Sequence, residues 1–448
     1  MMTMKSFWGK MRCVSLVIPT LLATFTASAQ LPWTLEDCLQ YARENNIDLQ
    51  QREIEVELSK NSLNTAKNDW LPTVEFTAAQ QFSFGNASAS TGVMATEPFD
   101  ANLSYTSGSL NLEMPVFDGF LRKNRQRSAD WSVKEAVASL DHARKNLTIQ
   151  VATYYLQVLY EQGMTEVAEA QVEASRRLCE KTRALVDDGK SPKSNLADAE
   201  AQLATDEYNL TACRGKANIA LLSLSQLLNL PGKDGFSIAD IDDDRALSQE
   251  LLNPIDLYTD ASETHPAVVA AEAAVERSKY DIETARAGYY PHIDFRASLN
   301  TYYFKPFKGP GEGPFFSRIN KNKSELLGVH LTVPIFNRLS TRNEIRRAKM
   351  LLTQSQLQLS DTQQKLRKEI DQAYYNALDA KDRFKSAKKS EEASEIAYTY
   401  ESDKYEAGCS TIYDLTQATQ RLREARENAV QAKYEFIIRQ KILDVYEQ

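Results

Sequence analysis

Two stretches decide how this chain folds: Ile293-Asp-Phe-Arg-Ala-Ser-Leu-Asn-Thr-Tyr-Tyr303 and Leu327-Gly-Val-His-Leu-Thr-Val-Pro-Ile335. In the first, Ile293, Phe295, Ala297, Leu299 and Tyr303 hold odd positions, while His292, Asp294, Arg296, Ser298 and Asn300 hold even ones. In the second, Leu327, Val329, Leu331, Val333 and Ile335 alternate with Gly328, His330 and Thr332. A period of two marks a strand with one apolar and one wet face. Nearly everything around these runs has helical spacing. Two lone strands do not make a stable sheet in water, so the chain has to supply partners.

The partners lie one half-chain earlier. Pro72 precedes Val74, Phe76, Ala78, Phe82 and Phe84, all at even positions. Pro291 follows Pro72 by 219 residues, Pro334 follows Pro115 by 219, and Gly408 follows Gly189 by 219. Glu57/Glu276, Lys60/Lys279, Phe117/Phe336, Leu196/Leu415 and Leu203/Leu422 keep the same offset. A long ungapped repeat means duplication. We divide the chain into a first repeat over 30–232, a linker over 233–252 and a second repeat over 253–448. Each repeat reads helix, strand, loop, strand, long helix, turn, helix.

The strands predict a membrane-facing surface. Its members are Val74, Phe76, Phe82 and Phe84 on the first strand, Leu112 and Val116 on the second, Ile293, Phe295 and Leu299 on the third, and Val329, Leu331 and Val333 on the fourth. Thr73, Glu75, Thr77, Gln81 and Ser83 form the opposite, inward set of the first strand. Leu103 and Tyr105 are out of phase with Leu110, Leu112, Met114 and Val116, which predicts a bulge near Ser107-Gly108. Alternating segments of about ten residues with aromatic ends are the pattern of transmembrane β-barrels. Tyr105, Tyr302, Tyr303, Phe84 and Phe304 are the expected interfacial belt. The competing reading is a soluble sheet with one face packed on helices. Four strands are too few to close a barrel, because about eight are needed for an interior that side chains fill. An open sheet in lipid leaves unpaired edges, which hydrocarbon does not tolerate. A membrane reading therefore requires several copies of the chain, two giving eight strands and three giving twelve.

The fold class expected is mainly α with β: coiled-coil helical hairpins joined to four strands. Residues 124–186 contain no proline and as one helix would span nearly 100 Å. Leu352, Leu359, Leu366, Ala373, Ala380 and Ala387 recur every seven residues, a coiled-coil period. Gly189 and Gly408, each at the end of a long helix and followed by Ser, Thr or Pro, mark helix reversals and hence the two hairpin tips.

Composition narrows the class further. The 448 residues carry a net charge of −8 and no basic block of the kind that contacts nucleic acid. Residues 1–29 read as a secretory signal, with Lys5, Lys10 and Arg12 ahead of an apolar run and Ala27-Ser28-Ala29 as the cleavage site. Cys38, Cys179, Cys213 and Cys409 are scattered and are expected as free thiols. The four histidines, His142, His265, His292 and His330, fall in no catalytic or metal-binding motif, so no enzyme, cofactor or metal is expected.

The turn Tyr405-Glu-Ala-Gly-Cys-Ser-Thr-Ile-Tyr-Asp-Leu415, the start Thr34-Leu-Glu-Asp37 and the duplicated order of strand pair and hairpin resemble the TolC-type outer-membrane efflux family. That resemblance covers the whole mature chain. It implies a homotrimer with a twelve-stranded outer-membrane barrel, a helical tunnel in the periplasm, and a tip engaged by a periplasmic adaptor and an inner-membrane pump. It also implies an export channel serving a tripartite efflux or type I secretion system. Tyr405 matches a gate tyrosine of the family and Asp414 an acidic position beyond the turn. Asn195 stands where a gate aspartate is expected, Ser410 where an arginine is, and Gln417 where a lumen-facing aspartate is. The tip set is therefore Gly189, Asn195, Tyr405, Gly408, Ser410, Asp414 and Gln417, without the family's ionic latch. The alternative function is a non-conducting periplasmic spacer or adaptor.

Overall fold

The strands form because proline-bounded alternating runs leave the backbone extended, and they pair because each sheds one face to the same side. The computed structural model describes residues 32–87, 90–91, 94–95, 99–100, 102–230, 235–241, 253–308 and 313–447. The expected signal sequence and most of the expected linker lie outside the described residues. Strands β1 (Thr73–Ser83), β2 (Leu103–Phe117), β3 (His292–Pro306) and β4 (Ser324–Thr332) make one antiparallel sheet in the order β1-β2-β3-β4. The two repeats meet at the β2–β3 pair. Beyond β1, Asn86–Ala87 pairs with Phe99–Asp100 and Ser90–Thr91 with Met94–Ala95, so the expected loop contains two short ladders.

The bulge is not where the phase of the apolar residues put it. The β1–β2 ladder is unbroken from Thr73↔Glu113 to Ser83↔Leu103, straight through Ser107 and Gly108. The register shift falls between Pro115 and Phe117 on the β3 side, leaving Val116 as the extra residue. Proline has no N–H to give a ladder, so the irregularity settles beside Pro115. Strand β4 likewise stops at Thr332, ahead of Pro334, and not at Ile335.

The helices carry the rest. The first helical segment is broken in two, α1 (Leu35–Asn45) and α2 (Ile47–Asn68), since Asn46 takes extended backbone (ψ 125°) and caps α2 through its side chain. Thr34 and Asp37 cap α1 reciprocally as a capping box. In the first repeat α3 (Leu121–Asp187) and α4 (Lys193–Leu227) make a hairpin. In the second, α5 (Pro254–Thr264) and α6 (Pro266–Arg286), separated at His265, lead to β3. A short α7 (Phe315–Lys321) lies against β3 within the expected loop. Then α8 (Ser340–Glu406) and α9 (Ile412–Glu447) form the second hairpin. At 67 residues each, α3 and α8 reach about 100 Å. The seam expected in α8 is the buried one: Leu366, Ala373 and Ala380 are all under 10% exposed.

There are two apolar cores among the described residues, the first built mainly from the first half and completed by Tyr434 and Ile437 of α9. One gathers Cys38, Leu49, Val151, Tyr155, Leu156, Leu224 and Leu228, closed by Phe236 and Ile238 from the segment after α4. Trp33 pairs with Ile238 there, and the Tyr155 hydroxyl donates to the Ala239 carbonyl at 2.5 Å. The other core joins Leu257, Val268, Leu366, Ile370 and Leu443. His265 packs between them, 5% exposed, edge-on to His142 and stacked on Tyr446.

The passage from strand to long helix is the same in both repeats. Gly119 and Phe120 have left-handed backbones (φ 66° each), and so do Arg338 and Leu339 (φ 58° and 62°), 219 residues on. Left-handed backbone is unfavourable for residues with a Cβ, so packing must hold these turns. The Asp118 carboxylate accepts from the Arg122 amide and guanidinium (3.1 and 2.8 Å) at the first turn, and Asn337 donates to Thr341 at the second (2.5 Å). A Cβ at Gly119 would lie 2.5 Å from the Cβ of Tyr290.

Two outcomes are expected. Gly119→Ala should destabilise the folded protein by about 1–3 kcal/mol through overpacking, while Gly215→Ala, with nothing within 4 Å, should be neutral or better; melting in detergent compares them. Burial holds His265 down at about 4, with Lys145 and His142 adding to the shift, and burial lowers His142 too. The unfolded chain therefore takes up protons that the folded one refuses between the ordinary value near 6.5 and about 4. Stability should be full above pH 6.5 and fall as pH drops toward 4. His265→Asn should flatten that slope in melts from pH 8 to 4.5.

Candidate functional site

Two surfaces are the candidates for function, the outward face of the sheet and the tips of the hairpins. Register assigns the sheet faces, because residues paired across an antiparallel ladder share one side. Val74 pairs with Leu112 and Phe76 with Leu110; Leu110 pairs with Leu299, Leu112 with Ala297 and Met114 with Phe295; Phe295 pairs with Val329 and Ile293 with Leu331. These residues form one continuous apolar face. Phe76 is 71% exposed and Val329 68%, so the chain's own helices do not cover it. Val116 at the bulge and Val333 just past β4 are exposed beside it. An uncovered apolar patch of this extent marks a surface that something else buries. The opposite face carries Glu75, Asn111, Asp294, Ser298 and the Glu113–Arg296 ion pair at 2.9 Å.

The expected aromatic belt is divided between the two faces. Tyr303 lies outward by register, and Phe84 stacks with Phe82 through Phe307 (ring centroids 5.5 and 6.3 Å). Tyr105 pairs with Phe304 on the wet side, and Tyr302 stacks on both, at 6.2 and 6.5 Å. Tyr302, Tyr303 and Phe304 are consecutive on β3 and alternate sides, so no one face carries all five, and the bulge expected at Ser107-Gly108 is absent. Without it the phase change along β2 turns Tyr105 inward.

At the far end, Gly189 (φ 73°) and Gly408 (φ 71°) close the long helices. At each, the glycine N–H reaches the carbonyl three residues back and the next N–H the carbonyl five back: Gly189 to Val186 and Lys190 to Leu185, Gly408 to Tyr405 and Cys409 to Lys404. This is the Schellman closure. Asp414 is engaged at its own helix start, where Thr411 Oγ1 donates to it at 2.6 Å and its amide donates back at 3.2 Å. The Thr411 hydroxyl and amide hold its carboxyl below the usual range. Asn195 donates to Ser191 at 3.2 Å, Ser410 donates to Glu401, and Gln417 is exposed. The tip residues chosen from the sequence thus bond mostly within their own hairpin.

Near the tips an ion pair joins the two hairpins through Lys181, a residue outside the expected tip set. Its ammonium lies 3.4 Å from Glu406 and 5.2 Å above the Tyr405 ring, tying α3 to the end of α8. Nothing in sequence separates Lys181 from the many charges on a wet helix surface. Nearer the sheet, Asp206 is 2% exposed and accepts from Ser175, Gln171 and Gln202 at 2.5, 3.2 and 3.0 Å. The last three also line a cavity of about 270 Å³ between the hairpins, with Tyr398 and Leu415 opposite.

A sheet with an uncovered apolar face, wet on its other side and continued by two long hairpins, is one chain's share of a membrane channel. The sequence model of the family described as "Outer membrane efflux protein" matches residues 38–230 and 257–445, and the chain belongs to that family. The outer membrane efflux protein BepC of Brucella suis is 24% identical over 430 residues, covering 95% of this chain and 88% of the relative. The outer membrane protein TolC of Escherichia coli is 21% identical over 447 residues, 96% and 85%. The crystal structure of CusC, described with its transmembrane channel formation, superposes with a TM-score of 0.78 at 16% identity, covering 98% of both chains. The two matched segments of the family coincide with the two repeats. The protein is an outer-membrane efflux channel whose helical part lies in the periplasm. Its family and its fold neighbours are transport proteins and not enzymes, and they lend no support to a non-conducting spacer.

The cap at the second tip is testable by itself. Thr411→Ala should cost about 1 kcal/mol and speed amide exchange over residues 412–415, leaving the start of α4 unchanged.

Proposed function

We propose that three copies of the chain close a twelve-stranded barrel in the outer membrane and that their six hairpins enclose a tunnel for exported cargo. The observation that supports this best is a four-stranded sheet with a bare apolar face and two unpaired edges, β1 and β4. Joining β4 of one copy to β1 of the next removes every edge, as hydrocarbon requires. A periplasmic adaptor and an inner-membrane pump feed this tunnel at the tips, which are held shut at rest. Gly189 and Gly408 set the tip geometry, and Asn195, Ser410, Asp414 and Gln417 line it without an ion pair. The latch is Lys181 on Glu406 and Tyr405, placed between hairpins where opening must separate them.

The purified chain should need detergent, elute as a trimer and conduct ions in planar bilayers. Lys181→Ala or Tyr405→Ala should raise the closed-state conductance at least twofold. Arg183→Ala, which removes only a pair to Glu200 within one hairpin, should leave it unchanged. A monomer soluble without detergent would refute the barrel; a trimer indifferent to Lys181 and Tyr405 would refute the latch.

A further inference from the structure

The wet face of the sheet is not wet along its whole length. From Asp294 to Asn300 on β3 and from Glu113 to Ser107 on β2 it carries carboxylates, amides and hydroxyls. Past that level β2 and β3 carry Leu103, Tyr105, Tyr302, Phe304 and Pro306 on this face, with Gln81 and Ser83 of β1 beside them. This end lies opposite the junctions with α3 and α6, and so at the external mouth. The outward face becomes mixed at this level, with Gln80, Ser104, Thr106 and Thr301 set among Phe82 and Tyr303, and Gln80 bonded to Ser104 and Thr106 across the ladder. No bulge intervenes on β1–β2, so the change of polarity along β2 belongs to its side chains and not to a slip of the strand. Tyr302 remains 43% exposed, and the three rings stack in a row with Tyr302 in the middle.

We propose that Tyr105, Tyr302 and Phe304 of each copy form an aromatic collar at the external mouth of the channel, and that it selects small organic cargo with flat aromatic groups. This rests on the tunnel reading above. Twelve strands about 4.8 Å apart and tilted near 40° give a backbone diameter of about 24 Å, and side chains standing off the wall by roughly 6 Å on each side leave about 12 Å. That aperture admits drug-sized molecules, one at a time, and brings each against aromatic faces. Lipid cannot cover these rings, because the inside of a barrel is the inside at every depth. An aromatic ring in transit gains stacking contacts there that an aliphatic ion of equal charge does not. Lumen side chains are where barrels of this kind tune selectivity.

The test applies ethidium, a flat aromatic cation, to the external side of wild-type channels in planar bilayers, with tetrapropylammonium as the aliphatic control. The variant Tyr105→Leu/Tyr302→Leu/Phe304→Leu keeps bulk and removes the rings. It should raise the half-blocking concentration of ethidium at least tenfold and leave that of tetrapropylammonium unchanged. Tyr105→Phe/Tyr302→Phe keeps the rings and should block within twofold of wild type. If the triple variant does not assemble, Tyr302→Leu alone should shift ethidium block at least threefold. Equal ethidium block in wild type and leucine variants overturns the collar and leaves the tunnel standing. Absence of any wild-type channel overturns the tunnel, and the collar with it.

Discussion

Unpaired strand edges in hydrocarbon are the constraint on which the rest of this structure depends. Each open edge presents a row of N–H and C=O groups that lipid cannot satisfy, at several kcal/mol per group. One chain has four strands, an outward apolar face and edges at β1 and β4. It can neither bury that face under its own helices nor close the sheet alone. Assembly is therefore a condition of the membrane fold and not an addition to it. The buried groups on the helical side lie within each half or between the halves, so helical packing can precede closure of the barrel.

The junctions transmit that constraint to the helices. A tilted strand must pass at once into a helix of 67 residues, and both repeats solve this with two consecutive left-handed residues. Only one of the four is glycine, and Phe120, Arg338 and Leu339 are held against their preference by contacts such as Asp118 with Arg122 and Asn337 with Thr341. Preservation of the strain at the same offset in both halves, while the side chains that brace it differ, marks the backbone path as the duplicated feature. Arg277 with Glu135 and Ser128 with Asp281 then lock α6 to α3 across the two repeats.

Much of this was legible because it is periodic. The alternation of Ile293 to Leu299, the heptads of α8 and the glycine reversals all follow from one-dimensional spacing. What failed depended on three-dimensional competition. The phase change between Tyr105 and Leu110 reads equally as a bulge or as an inversion of polarity, and only the ladder decides. Asn46 was hidden inside an acceptable helical pattern, because an asparagine that caps a new helix has the same spacing as one on a solvated face. Short α7 lies in a stretch with glycine and proline before it and no length for periodicity to register. At the tips, Asp414 had two possible uses, and the nearer partner, Thr411, took it. Lys181 was invisible because a cation on a charged helix becomes meaningful only when another helix arrives beside it.

The tip and the external mouth solve opposite problems with different chemistry. A gate must hold and release, which suits exposed contacts that cost little to break. Lys181 and Glu406, the latch proposed above, are 43% and 66% exposed, and such pairs are individually weak, so in the proposed gate this pair acts together with helix packing. Asp206 acts otherwise. A carboxylate 2% exposed, with three neutral donors and no ion-pair partner among the described residues, is poorly suited to a contact that opens and recloses, since separating it from its donors strands a buried charge. It joins α4 to α3 within the first hairpin, whereas the cavity that Tyr398 and Leu415 share with Gln171 lies between the hairpins. At the mouth nothing has to move. Tyr105, Tyr302 and Phe304 are borne on paired strands whose ladder is continuous, and a rigid aperture can discriminate by shape and surface alone.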